Sequence, residues 1–256
     1  MNSCSTINGS VAERHKIYFA SDFHLGLSTR TYSIDVEKKV VSWLISAATD
    51  AKEIYLLGDI FDFWWEYRKV VPKGFTRFLG TISSITDSGI PVHFFTGNHD
   101  LWAKNYLSEE CGMIIHKSPV TVTFDGKVFH LAHGDRLGSK NIRHNFISAL
   151  FRSNVLQKMY SALHPSIGVG IGQKWSQTSK LVKGTMKSFQ GEENEALIKY
   201  AKTILSKEKI DYFIFGHRHL AMSYKLKPDC EILFLGDWIS SCNYGLWDGE
   251  QLDFYF

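Results

Sequence analysis

The chain has 256 residues and a mass of 29.2 kDa, with 44% hydrophobic, 14% aromatic and 21% charged side chains. That composition excludes a disordered or collagen-like polymer and suits one large domain, or one domain carrying an insertion. The formal charge is only +3, but nine of the 29 basic residues (Arg136, Lys140, Arg143, Arg152, Lys158, Lys174, Lys180, Lys183 and Lys187) fall between 136 and 191, where no acid occurs, which leaves 20 basic against 26 acidic residues elsewhere. No run of about 18 apolar residues exists, so no membrane-spanning helix is expected. The stretch before Lys16 has no apolar h-region and does not read as a secretory signal. Cys4, Cys111, Cys230 and Cys242 are scattered without a CxxC, and read as reduced thiols of a cytoplasmic protein.

Taken in chain order, the first dozen residues read as a loose tail and Lys16 to Ala20 as a buried strand. Residues 35–48 read as a helix with Val36, Val40, Trp43, Leu44 and Ala47 on one stripe. Glu53 to Leu57 is the next strand, 75–87 a second helix, and Pro91 to Thr96 a third strand. That alternation implies parallel pairing through crossover helices. Val120 to Phe124 and Val128 to Ala132 flank Asp125-Gly126, a hairpin signal. Within the acid-free segment, Ile142, Phe146, Leu150, Ser153, Gln157 and Tyr160 trace part of a helical stripe, and a second helical piece is expected near Gln173 to Phe189. Gly168-Val169-Gly170-Ile171-Gly172 reads as a break between helices rather than a dinucleotide loop. Residues 192–207 read as a helix, Tyr212 to Phe215 as a strand, and everything from Ala221 onward as three or four short strands.

Polar clusters stand directly behind five of these strands: Asp22-Phe23-His24, Gly58-Asp59-Ile60-Phe61-Asp62, Gly97-Asn98-His99-Asp100, His133-Gly134-Asp135 and Gly216-His217-Arg218-His219. In open α/β sheets, ligand sites lie beyond the carboxyl ends of strands. Carboxylates mixed with imidazoles, without thiolates, suit Mn²⁺, Fe, Co²⁺ or Zn²⁺ in a reactive rather than a structural role. The remaining histidines (His15, His93, His116, His130, His144, His164) match no motif and read as packing or surface residues. No G-x-S-x-G elbow and no Walker A sequence occurs.

The five clusters, in this order, resemble the calcineurin-like metallophosphoesterases, whose pattern is DxH, GDxxD, GNH(D/E), H and GHxH. The resemblance spans residues 22–219 and implies an α/β fold of two packed mixed sheets flanked by helices, an α/β/β/α sandwich, as a single domain over 1–256. It implies two divalent metal ions, Mn²⁺ foremost. Asp22, His24 and His219 hold one, Asn98, His133 and His217 the other, and Asp59 bridges both. His99 is then not a ligand but the acid or charge stabiliser beside the leaving group, with Asp62 orienting it. Asp100 is structural. Hydroxide generated at the metals attacks phosphorus in line, with no covalent enzyme intermediate.

The segment 136–190 is not needed by the core sheets and is expected to form a helical cap, apolar within and basic at its lip. The stretches Tyr55-Leu-Leu-Gly-Asp-Ile-Phe-Asp-Phe-Trp and His133-Gly-Asp-Arg-Leu, with that insert, look like UDP-2,3-diacylglucosamine hydrolases of lipid A synthesis. This resemblance implies hydrolysis of the pyrophosphate of UDP-2,3-diacylglucosamine to UMP and 2,3-diacylglucosamine 1-phosphate. It implies a nucleotide-linked glycolipid substrate touching Asn98 and His99, with Ser179, Lys180 and Lys183 as further contacts. An apolar cap with a basic lip also suits peripheral docking on the inner leaflet of an anionic bacterial membrane. Well-known enterobacterial members read GNRD where this chain reads Gly97-Asn98-His99-Asp100. Another nucleotide or lipid phosphodiester is the alternative substrate, and a non-catalytic scaffold, which predicts eroded ligands, the alternative class. Nucleic acid is not expected, because few aromatics stand where bases could stack. Trp64 and Trp65 can line a pocket or fill the core equally well.

Overall fold

The computed structural model describes residues 14–27, 30–138, 153–183 and 188–256. Eleven strands form two sheets among the described residues. They are β1 (Lys16–Ala20), β2 (Ala51–Leu56), β3 (Val92–Phe95), β4 (Ile114–His116), β5 (Val120–Phe124), β6 (Lys127–Ala132), β7 (Tyr212–Phe215), β8 (Ala221–Lys227), β9 (Cys230–Leu235), β10 (Tyr244–Trp247) and β11 (Leu252–Tyr255). The first sheet runs β11-β10-β1-β2-β3-β4 and the second β5-β6-β7-β9-β8. Strands β1 to β4 are parallel, as are β6, β7 and β9, while β5, β8, β10 and β11 pair antiparallel. Helices α1 (Arg30–Ala47) and α2 (Thr76–Asp87) cross over between the parallel strands of the first sheet. The short α3 (Tyr106–Glu109) precedes β4, and α4 (Asn154–Ser161), α5 (Pro165–Lys183) and α6 (Ala196–Leu205) follow β6.

Strand side chains alternate between two apolar layers, which is why the sheets stack. Ile17, Phe19, Tyr55 and Leu57 point toward Phe129, Leu131, Ile214 and Leu233 between the sheets. Their neighbours Tyr18, Ala20, Ile54 and Leu56 face Val40, Leu44, Phe78 and Ile82 of α1 and α2. On the far side, Phe213, Phe215, Ile232 and Phe234 pack on Leu197, Ile198 and Ala201 of α6. Period-two alternation with both faces buried gives the four-layer α/β/β/α sandwich. Asp125 and Gly126, at φ 47° and 79°, close the β5–β6 hairpin in the left-handed conformation that its two-residue turn requires.

The predicted elements recur with shifted ends. The first helix starts at Arg30 and the last spans Ala196–Leu205, while β4 and α3 carried too short an apolar pattern to announce themselves. The expected break at Gly168–Gly172 is corrected: α5 runs through it without interruption. Each glycine in a helix costs about 1 kcal/mol of propensity, and close packing overrides that here. A Cβ on Gly172 would overlap the Phe63 ring, and one on Gly168 would overlap the Tyr67 hydroxyl. Ile142, Phe146 and Leu150 lie outside the described residues, as do Lys140, Arg143, Arg152 and Lys187.

Candidate metal centre

The carboxyl ends of β1, β2, β3, β6 and β7 converge on one edge of the sandwich, and each supplies donors. The loops there are laced to one another rather than to their own strands. Asp22 N–H donates to Gly58 C=O at 3.0 Å, His24 N–H to Asp59 C=O at 3.0 Å, and Leu25 N–H to Ile60 C=O at 2.9 Å. Five candidate donors sit in the left-handed region: Asp22, His24, Asp59, His217 and His219, at φ between 47° and 64°. Such conformations cost about 1 kcal/mol or more each in non-glycine residues and collect at functional sites. Gly97 shows how tightly the loops approach, since a Cβ there would strike the Asp59 carboxylate.

Two clusters result, each with donor atoms mutually within 4.8 Å: Asp22, His24 and His219, and Asp59, His133 and His217. A third grouping, His24, Asp59 and His99, overlaps both. In the first cluster His24 Nε2 and His219 Nε2 are 3.3 Å apart, and each stands 3.6 and 3.4 Å from Asp22 Oδ1. Asp59 Oδ2 lies 3.4 Å from His133 Nε2 and 3.9 Å from both His24 Nε2 and His99 Nε2, so it occupies the junction between clusters. The other oxygen of each aspartate is already committed. Asp59 Oδ1 accepts from His99 N–H at 2.9 Å, and Asp22 Oδ2 accepts from Ser21 Oγ at 2.6 Å and His217 N–H at 2.9 Å.

The imidazoles are aimed in the same way. His133 Nδ1 is 2.8 Å from the Leu57 carbonyl, which can only accept, so Nδ1 carries the hydrogen and Nε2 faces the cluster. His219 Nδ1 donates to Asp237 Oδ2 at 3.1 Å with the same consequence. Asp22 Oδ1, Asn98 Oδ1 and His133 Nε2 are buried and have no hydrogen-bond partner. Buried polar atoms left bare are costly, and three of them among convergent carboxylate and imidazole donors fit divalent cations. Asp22, His24 and His219 could hold one ion, Asn98, His133 and His217 a second, with Asp59 shared.

The electrostatics agree with a cation site. Burial alone would raise the Asp59 carboxyl, but His133 and His99 outweigh it and hold it well below the usual range; Asp22 is likewise lowered, against burial, by His219 and His24. Burial opposes charge on His133, but Asp59 and Asp22 push its imidazole up to about 10. Asp100 behaves differently: burial, reinforced by Asp59, raises it to about 7. Its oxygens accept from Gly97 N–H and Ile60 N–H, both at 2.7 Å, so it clamps two donor loops, the structural role expected.

His99 is 4% exposed and its Nδ1 lies 2.8 Å from the Asp62 carbonyl, so the short contact comes from the Asp62 backbone, with the Asp62 carboxylate at 3.9 Å. Trp64 and Trp65 divide the two roles left open for them. Trp64 stacks on Phe61 at 4.3 Å and donates to Glu66 inside the core. Trp65 faces the insertion, 4.4 Å from the Tyr160 ring, and with Trp102, Leu156, Met159 and Leu163 lines an apolar cavity of about 370 Å³. A second cavity of about 500 Å³ runs between α5 and the body past Leu25, Asp62, Phe63, Phe75 and Gln173. The side chains of Ser179, Lys180 and Lys183 lie outside the described part of the structure.

Three residues with roles here carried no recognised motif. Asp237, behind β9, orients His219. Glu195 accepts from Arg218 Nε at 2.9 Å and Nη2 at 2.7 Å, fixing the residue between His217 and His219. Ser176 of α5 reaches both Asp62 and His99.

A sequence model of the calcineurin-like phosphoesterases matches residues 15–221. A UDP-2,3-diacylglucosamine hydrolase of Porphyromonas gingivalis is 40% identical, covering 93% of this chain and 96% of its own. Another, from Histophilus somni, is 26% identical over 87% of this chain and 92% of its own. Among solved structures, the phosphoesterase Yfce from E. coli aligns with 93% of this chain and 90% of its own at 14% identity, with a TM-score of 0.42. With the match running from β1 past the last pair of donor histidines, the chain belongs to the calcineurin-like phosphoesterase family.

Proposed function

We propose that this protein hydrolyses the pyrophosphate of UDP-2,3-diacylglucosamine, releasing UMP and 2,3-diacylglucosamine 1-phosphate. The observation that carries the reading is an apolar cavity of about 370 Å³ against the helical insertion, lined by Trp65, Trp102 and Tyr160, in a protein whose strand ends gather carboxylate and imidazole donors suited to cations. A diacylated nucleotide sugar needs both chemistries in one molecule, and the Porphyromonas gingivalis relative bears that activity in its name. Two divalent ions, Mn²⁺ foremost, held by Asp22, His24, Asp59, Asn98, His133, His217 and His219, supply hydroxide at neutral pH and neutralise phosphoryl charge when bound. The two ligand carboxylates carry −2 against +4 from the ions, leaving a positive centre for an anionic substrate.

The chain's own residues do the rest. Asn98 and His99 meet the phosphoryl group, and His99 Nε2, directed inward, stabilises the charge that develops there. Asp62 holds His99 through its carbonyl. The cavity against α4 takes acyl chain, and Ser179, Lys180 and Lys183 are the further candidates to meet the nucleotide or sugar phosphate.

Association with an anionic bilayer is part of the same reading. No helix among the described residues is long and apolar enough to cross a membrane. Yet Val155, Met159, Ile167 and Ile171 are 67%, 63%, 56% and 50% exposed along α4 and α5, beside the basic residues Lys158 and Lys174. Apolar side chains in water among lysines, on a segment without acids, complement an anionic lipid surface.

The deciding assay compares turnover of UDP-2,3-diacylglucosamine and of a simple nucleotide diester by the Mn²⁺-loaded protein under identical conditions. A strong preference for the acylated sugar nucleotide, abolished by trimming 136–190, is expected. Equal or better cleavage of the simple diester sinks the lipid substrate while leaving the metal centre standing.

A further inference from the structure

The insertion meets the metal centre along one line of small residues. Gly168, Gly172 and Ser176 recur every fourth position on α5, and so share one face of the helix. The two glycines let that face press against Tyr67 and Phe63. Ser176 is the end of the line nearest the centre and is 1% exposed. Its Oγ donates to Asp62 Oδ2 at 2.8 Å and stands 3.2 Å from His99 Nδ1.

These contacts determine where the hydrogens are. The Asp62 carbonyl, 2.8 Å from His99 Nδ1, can only accept, so Nδ1 bears a hydrogen. The single hydroxyl hydrogen of Ser176 is committed to Asp62 Oδ2, so toward His99 the serine oxygen accepts. The Nδ1 hydrogen is therefore shared between the Asp62 carbonyl and Ser176 Oγ. Nε2 is left facing inward, 3.9 Å from Asp59 Oδ2. The serine arrives from the insertion, 77 positions further along the chain.

We propose that Ser176 is a positioning residue: by seating its hydroxyl between Asp62 and His99, the helical insertion sets the ring orientation and tautomer of His99. The centre is thereby fully formed only with α5 docked, which couples occupation of the insertion's cavities to the reaction at the strand ends. The proposal rests on His99 acting at the phosphoryl group, as in the function above.

A double-mutant cycle tests it on the full-length, Mn²⁺-loaded protein, with Ser176→Ala, His99→Ala and the pair combined. UDP-2,3-diacylglucosamine is the substrate, and bis(p-nitrophenyl) phosphate is run in parallel. Ser176→Ala is expected to lower kcat about tenfold, the scale of one lost hydrogen bond to a charged or polarised group, with KM and bound metal unchanged. Added to His99→Ala, it is expected to cost nothing further. The ¹H–¹⁵N signal of the His99 Nδ1–H group in the metal-free protein is expected to shift or broaden in Ser176→Ala and to return in Ser176→Thr. An equal loss in both backgrounds, a raised KM at constant kcat, or an unmoved Nδ1–H signal overturns the proposal. If Ser176→Ala does not fold, the near-isosteric Ser176→Cys takes its place in the cycle. Should the wild type cleave the diester but not the lipid nucleotide, the substrate reading fails, and the cycle on the diester still decides the role of Ser176.

Discussion

Glu195→Gln isolates what holds the last two donor histidines in place. Arg218 sits between His217 and His219, both in the left-handed conformation at φ 64° and 50°. Its guanidinium is gripped by Glu195 through two hydrogen bonds of 2.9 and 2.7 Å, and the two side chains are only 17% and 3% exposed. Breaking a buried pair from one side costs about 3–5 kcal/mol. Glutamine keeps the shape and one acceptor, so the expected loss of folding stability is about 2 kcal/mol. The metal effect follows from strain. Left-handed histidines persist because their surroundings hold them, and releasing Arg218 lets both relax. Removing an outer partner of a metal ligand typically costs 10–100-fold in affinity, and that range is expected for Mn²⁺. Urea unfolding of the metal-free protein measures the first quantity and isothermal titration with Mn²⁺ the second. Lowered stability with wild-type metal affinity refutes the reasoning, because Glu195 would then anchor α6 and not the donor loop.

Three other outcomes are expected. Asp59→Ala removes the shared oxygen, so Mn²⁺ affinity falls by more than about 100-fold, beyond the loss of an outer partner, and metal-dependent turnover disappears; two bound ions with full activity would falsify the bridging position. Burial, then the adjacent His93 ring 2.9 Å away, pushes the His116 imidazole down to about 4 from 6.5, so the unfolded chain takes up the proton first on acidification. The contribution is present above about pH 6.5 and lost as pH falls toward about 4; for a half-buried ring it amounts to about 1 kcal/mol. Urea midpoints at about pH 7 and about pH 4.5 should therefore separate by less in His116→Gln than in the wild type, and an unchanged separation contradicts the assignment. Met159→Ser with Ile171→Ser removes two exposed apolar side chains, each worth about 1 kcal/mol on partial burial in lipid, so binding to anionic phosphatidylglycerol vesicles should weaken about tenfold or more in a flotation assay, with unchanged flotation removing the insertion from the membrane contact.

The donors were legible because each stands immediately behind a strand, where period-two hydrophobicity stops and a charged or imidazole side chain begins. Asp22, Asp59, Asn98, His133 and His217 are each within three residues of a strand end, so strand and donor are read together. The supports were not legible. Asp237 also follows a strand, but as a bare Gly-Asp with no imidazole beside it. Glu195 and Ser176 act across 23 and 77 positions, a relation only tertiary packing creates. The glycines of α5 were misread because local propensity treats them as breakers, whereas their missing side chains admit Tyr67 and Phe63. Trp64 and Trp65 were undecidable in sequence because neighbouring residues in extended chain point to opposite sides, one into the core and one toward the insertion.

The arrangement of the sheets explains why the centre sits where it does. Asp22, His24, Asp59 and Asn98 follow strands of the first sheet, and His133, His217 and His219 follow strands of the second. Neither sheet carries a complete set: the cluster of Asp22 and His24 is closed by His219, and Asp59 is joined by His133 and His217. Each cluster therefore spans the interface filled by Phe19, Tyr55, Phe129 and Leu233, and its geometry depends on the register between the layers. A close-packed interior transmits strain instead of absorbing it. A cavity opened between the sheets, for example at Phe129, thus displaces one half of the donor set relative to the other although it touches no donor. The third layer of control comes from outside both sheets, in α5, whose Ser176 closes on Asp62 and His99. Two sheets bring the candidate donors together, and the insertion adds to them an apolar cavity and, through Ser176, a hydrogen-bond partner for His99.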